Sequence, residues 1–342
     1  MTPEGAFAEW VGSWLAIDER PERVGVAISG GGDSVALLHL AFEAFSPLGV
    51  EVRAVTVDHG LRPESAAEAV EVARTCDALG VRHDALRWDG TGTGNLQERA
   101  REARRRLIGA WARAHGVTCV LLGHTADDQA ETVLLRLARG SGVDGLAAMV
   151  PGFRAEGVSW QRPLLGVTRE VLRDWLRSRG VAWIEDPSND DPRFDRVRAR
   201  AMMAHLGELG LTRERLLRTA GHMLRARATL ISEAGRMAVR QVQEDGSDLL
   251  VSMVLMAGLD RHDSAGRILS AALMWVGGTE RRPRWTSLRR MATLVRDGRS
   301  ATLSGCLITP EGDWARVAAE ARNARAPRRE PHLRFVEGAS FG

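Results

Sequence analysis

Short apolar runs and longer apolar-periodic segments alternate along the first part of this chain. Val24 to Ile28 is a compact apolar run that suits a buried strand, and Val35 to Phe45 repeats apolar residues at helical spacing. Val52 to Val57 predicts a second strand, and Glu64 to Leu79 a helix with Pro63 at its first turn. Val81 to Arg87 predicts a third strand and Leu96 to His115 a helix. Thr118 to Leu122 predicts a fourth strand, running into a helix from Ala126 to Arg139.

Repeated strand and helix units of this kind imply an α/β fold: a mostly parallel, Rossmann-like sheet with helices on both faces. In such sheets ligands bind beyond the carboxyl ends of the strands. The texture changes after Ala204. Thr212 to Gln243 is a long helical pattern, Arg261 to Trp275 and Trp285 to Val295 predict shorter helices, and Ala301 to Ile308 with Asp313 to Ala318 predict a closing hairpin around Pro310-Glu311-Gly312. The expected division is a nucleotide-binding catalytic domain over 1–204 and a mainly helical recognition region over 205–342. From Arg322 onward the chain is polar and Arg-rich, the texture of a loosely ordered tail.

Between the first strand and its helix stands Ser29-Gly30-Gly31-Gly32-Asp33-Ser34. Glycines permit positive φ and close backbone approach, so successive N–H groups can face a polyphosphate at the positive end of the helix. Asp33 adds a magnesium ligand and Ser34 a hydroxyl donor. The chain contains no Lys, which excludes a Walker A loop, Schiff-base chemistry and any lysyl-nucleotide intermediate. Val35 stands where a dinucleotide fingerprint needs its third glycine.

The end of the fourth strand carries Gly123-His124-Thr125-Ala126-Asp127-Asp128-Gln129-Ala130-Glu131. A helix starting there puts His124, Asp128 and Glu131 on one face. Helix capping needs one carboxylate, for which Asp127 is the candidate, and three acids beside a His point further, to a magnesium and substrate site. Arg139 ends that helix before Gly140, where a guanidinium could meet outer phosphates. Asp58, at the end of the second strand, belongs to the same rim, either as a turn residue or against the base or ribose.

Composition changes this picture modestly. The net charge is +3 in 342 residues, with a calculated pI of 9.3, and every cation other than His is Arg. Arg suits phosphate and RNA contacts through its planar fork, although biased codon usage also explains missing Lys and Tyr. Local clustering is more telling: Arg99, Arg101, Arg104, Arg105 and Arg106 share a helix whose buried stripe is expected at Ala103, Leu107, Ala110, Trp111 and Ala114. Arg193, Arg196, Arg198 and Arg200 form a second group, and Arg281, Arg282, Arg284, Arg289 and Arg290 with Trp285 a third. Such clusters are either solvated faces or phosphate contacts. Cys76, Cys119 and Cys306 are odd in number and far apart, as in a reduced cytoplasmic protein. No secretory leader or membrane span is expected.

The Ser-Gly-Gly-x-Asp-Ser loop resembles the PP-loop of the ATP pyrophosphatase superfamily. Val57 to Ser65, Asn95 to Arg104, Gly123 to Gly145, Arg162-Pro163-Leu164-Leu165 and Trp183-Ile184-Glu185-Asp186-Pro187-Ser188-Asn189 extend the resemblance to the tRNA(Ile)-lysidine synthases. Two departures are Arg104-Arg105 where that family shows Arg-Tyr, and Arg196-Val197-Arg198 where it shows Arg-Asn-Arg. The resemblance implies that ATP adenylates the wobble cytidine of an isoleucine tRNA with a CAU anticodon, and that L-lysine then displaces AMP. It implies ATP held by Ser29, Gly30, Gly31, Gly32, Asp33, Ser34, Asp58 and Arg139, and Mg2+ held by Asp33 and Asp128, with Asp127 in reserve. Glu131 would hold the lysine ammonium, His124 would orient a carboxylate or move a proton, and Arg101, Arg104, Arg196 and Arg198 would bind the tRNA. A homodimer is compatible with it. The alternatives are a related tRNA thiolase, which would use paired cysteines, and a catalytically idle RNA-binding module, which could dispense with the carboxylates.

Overall fold

The computed structural model describes residues 2–16, 20–58, 65–90, 96–185, 191–279 and 281–320. The expected features at His59 to Glu64, at Asn95, at Asp186 to Asn189 and in the tail from Arg322 lie outside them. Two compact units divide inside one helix, after Leu224.

In the first unit, helix α1 (Pro3–Leu15) precedes β1 (Arg23–Ala27), α2 (Gly32–Phe45), β2 (Glu51–Asp58), α3 (Ser65–Ala78), β3 (Arg82–Arg87), α4 (Leu96–Ala114), β4 (Cys119–Leu122) and α5 (Ala126–Ala138). There follow the short α6 (Val143–Leu146), the hairpin β5 (Gly152–Ala155) and β6 (Val158–Gln161), then α7 (Arg169–Ser178) and α8 (Asp195–Glu208). The six-stranded sheet has the order β3-β2-β1-β4-β6-β5. It is parallel throughout except where β5 returns against β6. The chain steps outward from β1 to β3 and then crosses to β4 on the other side of β1, so the topological switch point falls between β1 and β4. A crevice opens at the carboxyl ends there, and it receives the glycine loop from β1 and His124 from β4.

Alternation along the strands feeds two cores. Val24, Val26 and Leu121 pack with α1, with Leu37, Leu38 and Ala41 of α2, and with Leu172 and Leu176 of α7. Ala27, Val55 and Val120 face Ile108, Trp111 and Ala112 of α4 and Trp160 of β6. The buried stripe of α4 is therefore Ala103, Ile108, Trp111 and Ala112, with Ala110 and Ala114 exposed, because Trp111 seats on the sheet with Nε1 donating to Asp84 Oδ2 at 2.8 Å. That rotation leaves Arg101 and Arg106 at the surface, Arg101 with part of its guanidinium surrounded by protein, and Arg104 and Arg105 half-buried.

Helix α9 (Arg213–Gln241) begins in the first unit and ends in the second, which adds β7 (Val242–Asp245), β8 (Asp248–Ser252), α10 (Met253–Gly258), α11 (Asp263–Gly277), α12 (Trp285–Arg296), β9 (Ala301–Leu303), β10 (Cys306–Glu311) and β11 (Trp314–Ala319). The expected hairpin is β10–β11, but it is the middle of a five-stranded antiparallel sheet of order β7-β8-β11-β10-β9. This sheet has its own core, including Leu249, Val251, Ile268, Leu288, Ile308 and Val317.

All three cysteines are buried and unbridged, in separate elements. Burial pushes the thiols of Cys76 and Cys306 up to about 12. Since the thiolate is the reactive form, neither should react with a disulfide reagent at neutral pH until the protein unfolds. Thiol titration in native and denaturing buffer checks this; rapid native labelling of either would contradict their burial.

Candidate active site

The apolar strand β1 must end and α2 must begin within a few residues, and the glycine loop makes that turn. Gly30 adopts φ +84°, and its carbonyl accepts the Ile184 N–H at 2.9 Å. A Cβ at Gly30 would lie 2.6 Å from Ile184 Cδ1, so this glycine is demanded by the protein itself. Gly31 is different. It caps α2 at φ −69° with no side-chain bond, and a Cβ there would meet only Ser29 Oγ, at 3.8 Å. Its bareness serves whatever approaches the helix N-terminus, where unpaired N–H groups and the macrodipole favour an anion. Ser34 Oγ donates to the Gly31 carbonyl at 2.9 Å and accepts the Ser29 N–H at 3.1 Å, closing the loop on itself.

Across the crevice, β4 comes so close that a Cβ at Gly123 would sit 3.1 Å from the Asp33 carbonyl oxygen. Thr125 is the N-cap of α5 and forms a capping box with Asp128, whose Oδ2 accepts the Thr125 N–H at 2.9 Å. The capping carboxylate is thus Asp128, not Asp127. His124 precedes the helix and does not share its face. Asp127 turns away from the crevice: its Oδ2 accepts the Arg169 N–H at 2.7 Å and its Oδ1 accepts Arg213 Nη1 at 2.6 Å. Both oxygens of Asp127 are committed to joining α5 to α7 and α9.

The remaining acids converge on one guanidinium. Arg169 Nε donates to Asp33 Oδ2 at 3.0 Å, Nη2 to Asp128 Oδ1 at 3.3 Å, and Nη1 pairs with Glu131 Oε1 at 3.6 Å. Helix α8 adds two more cations one turn apart: Arg196 Nη1 reaches Asp128 Oδ1 at 3.4 Å, and Arg200 Nε reaches Glu131 Oε1 at 3.0 Å. Burial opposes ionisation of all three acids. For Asp33 it prevails over Arg169, and for Glu131 over Arg200, so both carboxyls lie above their ordinary range. At Asp128 burial is outweighed by Arg169, the Thr125 N–H and Arg196, and that carboxyl lies below it. Asp33 Oδ1 and Glu131 Oε2 are buried and accept no hydrogen bond from the described residues.

His124 sits between these acids and a basic group. Burial and then Arg162 push its imidazole down to about 3, so it is neutral. Arg162 Nε donates to His124 Nδ1 at 3.3 Å; a guanidinium can only donate, so the ring proton resides on Nε2. Arg162 is itself buried over Phe153, with its Nη1 on the Val150 carbonyl at 2.6 Å. Burial and then the charges of Arg101 and Arg136 lower its guanidinium to about 10. Burial and like charge also lower Arg101, beside Arg196 and Arg105, and Arg104, beside Arg101. Neither Arg101 nor Arg104 has an acidic partner among the described residues.

Two expected site residues are set apart. Arg139 pairs with Asp195 at 3.1 Å in solvent, and at ~1.5 Å of rise per residue it stands roughly 16 Å along α5 from Asp128. Arg198 is exposed and spent on its own segment, pairing with Asp195 and donating to the Pro192 carbonyl at 3.1 Å. Asp58 ends β2 on the same rim as the loop, its carbonyl accepting the Trp88 N–H at 2.9 Å. Arg169 and Arg213 do not stand out in the sequence, where Arg200 groups with the expected RNA contacts and Arg162 lies in a motif with no evident role. Arg162 and Arg200 had a local signal, in a quoted motif and at helical spacing from Arg196. Arg169 had none.

A model of the PP-loop domain matches residues 7–206. The chain is 47% identical over 301 residues to a tRNA(Ile)-lysidine synthase of Ruegeria pomeroyi, covering 88% of this chain and 72% of that protein. It is 39% identical to one of Novosphingobium aromaticivorans, covering 88% and 90%. Among solved structures, a U34-tRNA thiolase of Methanococcus maripaludis superposes with a TM-score of 0.55 at 17% identity, over 65% of this chain and 78% of that one, and shares the fold. A glycine-loop crevice at the sheet switch point, a PP-loop match over more than half the chain and close relatives across most of its length together establish that the chain belongs to the tRNA(Ile)-lysidine synthase family.

Proposed function

We propose that the chain is an ATP-dependent ligase that joins free L-lysine to carbon 2 of the wobble cytidine of an isoleucine tRNA with a CAU anticodon. The cytidine 2-oxo oxygen attacks the α-phosphate of ATP and pyrophosphate leaves. The lysine ε-amine then adds at carbon 2, its excess proton is lost, and AMP departs with the oxygen. The observation that carries this reading is an uncapped α2 N-terminus bearing the Asp33 carboxylate, with the Asp128 and Glu131 carboxylates of α5 facing it across one crevice. The N-terminus suits polyphosphate and the acids suit cations, and such chemistry is mainly positioning and charge neutralisation. Incubating unmodified tRNA transcript with the protein, ATP, magnesium and lysine should give a nucleoside heavier than cytidine by lysine minus water. A nucleoside of unchanged mass would overturn the assignment.

The donor set fits magnesium. Among the described residues no three His, Cys, Asp or Glu side chains group as a self-sufficient metal site, but Mg2+ is commonly held by one or two carboxylates plus substrate phosphates. Asp33, with Oδ1 unpartnered, and Asp128 would be its ligands; bound there, it would neutralise phosphate charge. Asp127 is less suited, since its oxygens are turned to the Arg169 N–H and to Arg213 and not to the Asp33 side of the crevice. Glu131 Oε2 would take the lysine ammonium, and His124 Nε2–H would donate to an oxygen of a reactant. A thiolase would need cysteines in reach of one another, and here they are buried in separate elements.

Arg104 and Arg196 lie near His124, with Arg101 beside both, and would form the basic edge on which the tRNA backbone lies. The 205–342 region, with its Arg281 to Arg290 group, would recognise the tRNA beyond the reacting base. Arg101→Ala and Arg104→Ala should each weaken tRNA binding and flatten its log-log salt dependence by about one. Arg198→Ala should change the slope less, because that guanidinium is paired within its own segment. An unchanged slope for Arg101 and Arg104 would make them solvated surface. The described helices include none long and apolar enough to cross a membrane, and the unbridged cysteines suit a reducing, cytoplasmic setting.

A further inference from the structure

Arg169 is the one described cation that touches all three acids of the crevice. Its three guanidinium nitrogens each take a different carboxylate, and the side chain is only 18% exposed. It is fixed at its other end too: its own N–H is held by Asp127, whose second oxygen is pinned by Arg213. Arg169 opens α7, so the guanidinium is aimed by a helix whose Leu172 and Leu176 are buried in the core shared with α1 and α2. Arg196 and Arg200 each serve a single acid and are more exposed, at 44% and 41%.

Three carboxylates in a half-dry crevice repel one another, and without a central cation they would spread or take up protons. A planar fork can hold several carboxylates at set angles; an ammonium acts as a point charge and cannot span them in the same way. The grip also leaves Asp33 Oδ1 and Glu131 Oε2 buried and unengaged by the described residues.

Building on the proposed lysidine-forming activity, we propose that Arg169 is the positioning residue of this site. It holds the nucleotide-side carboxylates Asp33 and Asp128 and the lysine-side carboxylate Glu131 at fixed separation, with Asp33 Oδ1 and Glu131 Oε2 left unpaired. Arg169 itself touches neither ATP nor lysine. It couples the two half-reactions, because the same guanidinium aims the acids of both.

The test compares wild type with Arg169→Lys, which keeps the charge and loses the fork, and Arg169→Gln, which loses the charge. Three readouts are needed: tRNA affinity as the check of folding, pyrophosphate release without lysine, and the KM for lysine. Loss of an orienting partner typically costs about 10–100-fold in affinity or activity. Both variants should therefore bind tRNA normally, release pyrophosphate roughly 10–100-fold more slowly, and show a lysine KM raised by about tenfold, with Lys the milder change. In the background of Glu131→Gln, the Arg169→Lys change should no longer raise the lysine KM, since its route to lysine is gone. A fall in kcat with the lysine KM unmoved would mean fewer active molecules and would overturn the proposal, as would loss of tRNA binding in both variants. Wild-type protein that forms no lysidine would instead overturn the functional assignment on which this inference rests.

Discussion

Replacing Asp33 by Ala should abolish adenylation, on the order of 10³-fold, while leaving tRNA binding intact. A preorganised charge-stabilising group removed from a reaction centre typically costs ~10²–10³ in rate, or about 3–4 kcal/mol, and Asp33 lies at the α2 N-terminus where phosphate charge collects. The fold should tolerate the change. Burial already penalises this carboxylate, and its only described partner, Arg169, keeps Asp128 and Glu131. Asp128 is a less clean target: its Oδ2 closes the capping box of α5, so Asp128→Ala should also lose about 1 kcal/mol of stability. Asp128→Asn keeps an acceptor for Thr125 and isolates the charge. Pyrophosphate release on tRNA, with tRNA affinity measured in parallel, checks both. Wild-type release by Asp33→Ala would remove Asp33 from the chemistry.

Gly30→Ala should damage the nucleotide site through two separable effects. At φ +84° an L-residue pays about 1–2 kcal/mol, and the added Cβ would lie 2.6 Å from Ile184 Cδ1 and 3.1 Å from Val72 Cγ2. The side chain of Ile184 must give way, which loosens its packing over the loop next to the 2.9 Å bond from the Ile184 N–H to the Gly30 carbonyl. We expect a loss of roughly 1–3 kcal/mol in stability and an ATP KM raised at least about tenfold. Ile184→Val removes the clashing methyl. Paired with Gly30→Ala it should recover the packing part and not the backbone part, which denaturant unfolding of the single and double variants resolves. Wild-type stability and ATP KM in Gly30→Ala would show that the loop is not held by this contact.

Local pattern carried the elements whose stabilising features are themselves local. The strands and helices from Val24 to Ala138 follow from apolar runs broken by glycine, and α9, α11 and α12 from helical periodicity. The β5–β6 and β7–β8 hairpins escaped because their strands are four or five residues long and half polar, too short for a period to register. The end of the first unit was equally hidden. The sequence changes texture at Ala204, yet Leu216 and Ala220 of α9 pack with Ala130 and Val133 of α5, which carries the unit to Leu224.

For the site, the sequence alone determined the chemistry available: a glycine loop at a strand-to-helix turn, and acids at the start of another helix. Both are short-range features, because the turn needs glycine and the spacing of Asp127, Asp128 and Glu131 is written in consecutive residues. Only the tertiary structure decided how those residues are used. Thr125 and Asp128 share the cap, which frees Asp127 to bind Arg169 and Arg213. Arg139 is carried away along α5, since a helix axis separates residues that sequence keeps near. Arg169 reaches Asp33 from 136 positions away and Asp128 from 41. A contact of that range depends on the strand order that brings β4 and β6 to one side of β1 and on the packing of α7 against α2, and nothing in the residues around Arg169 records it.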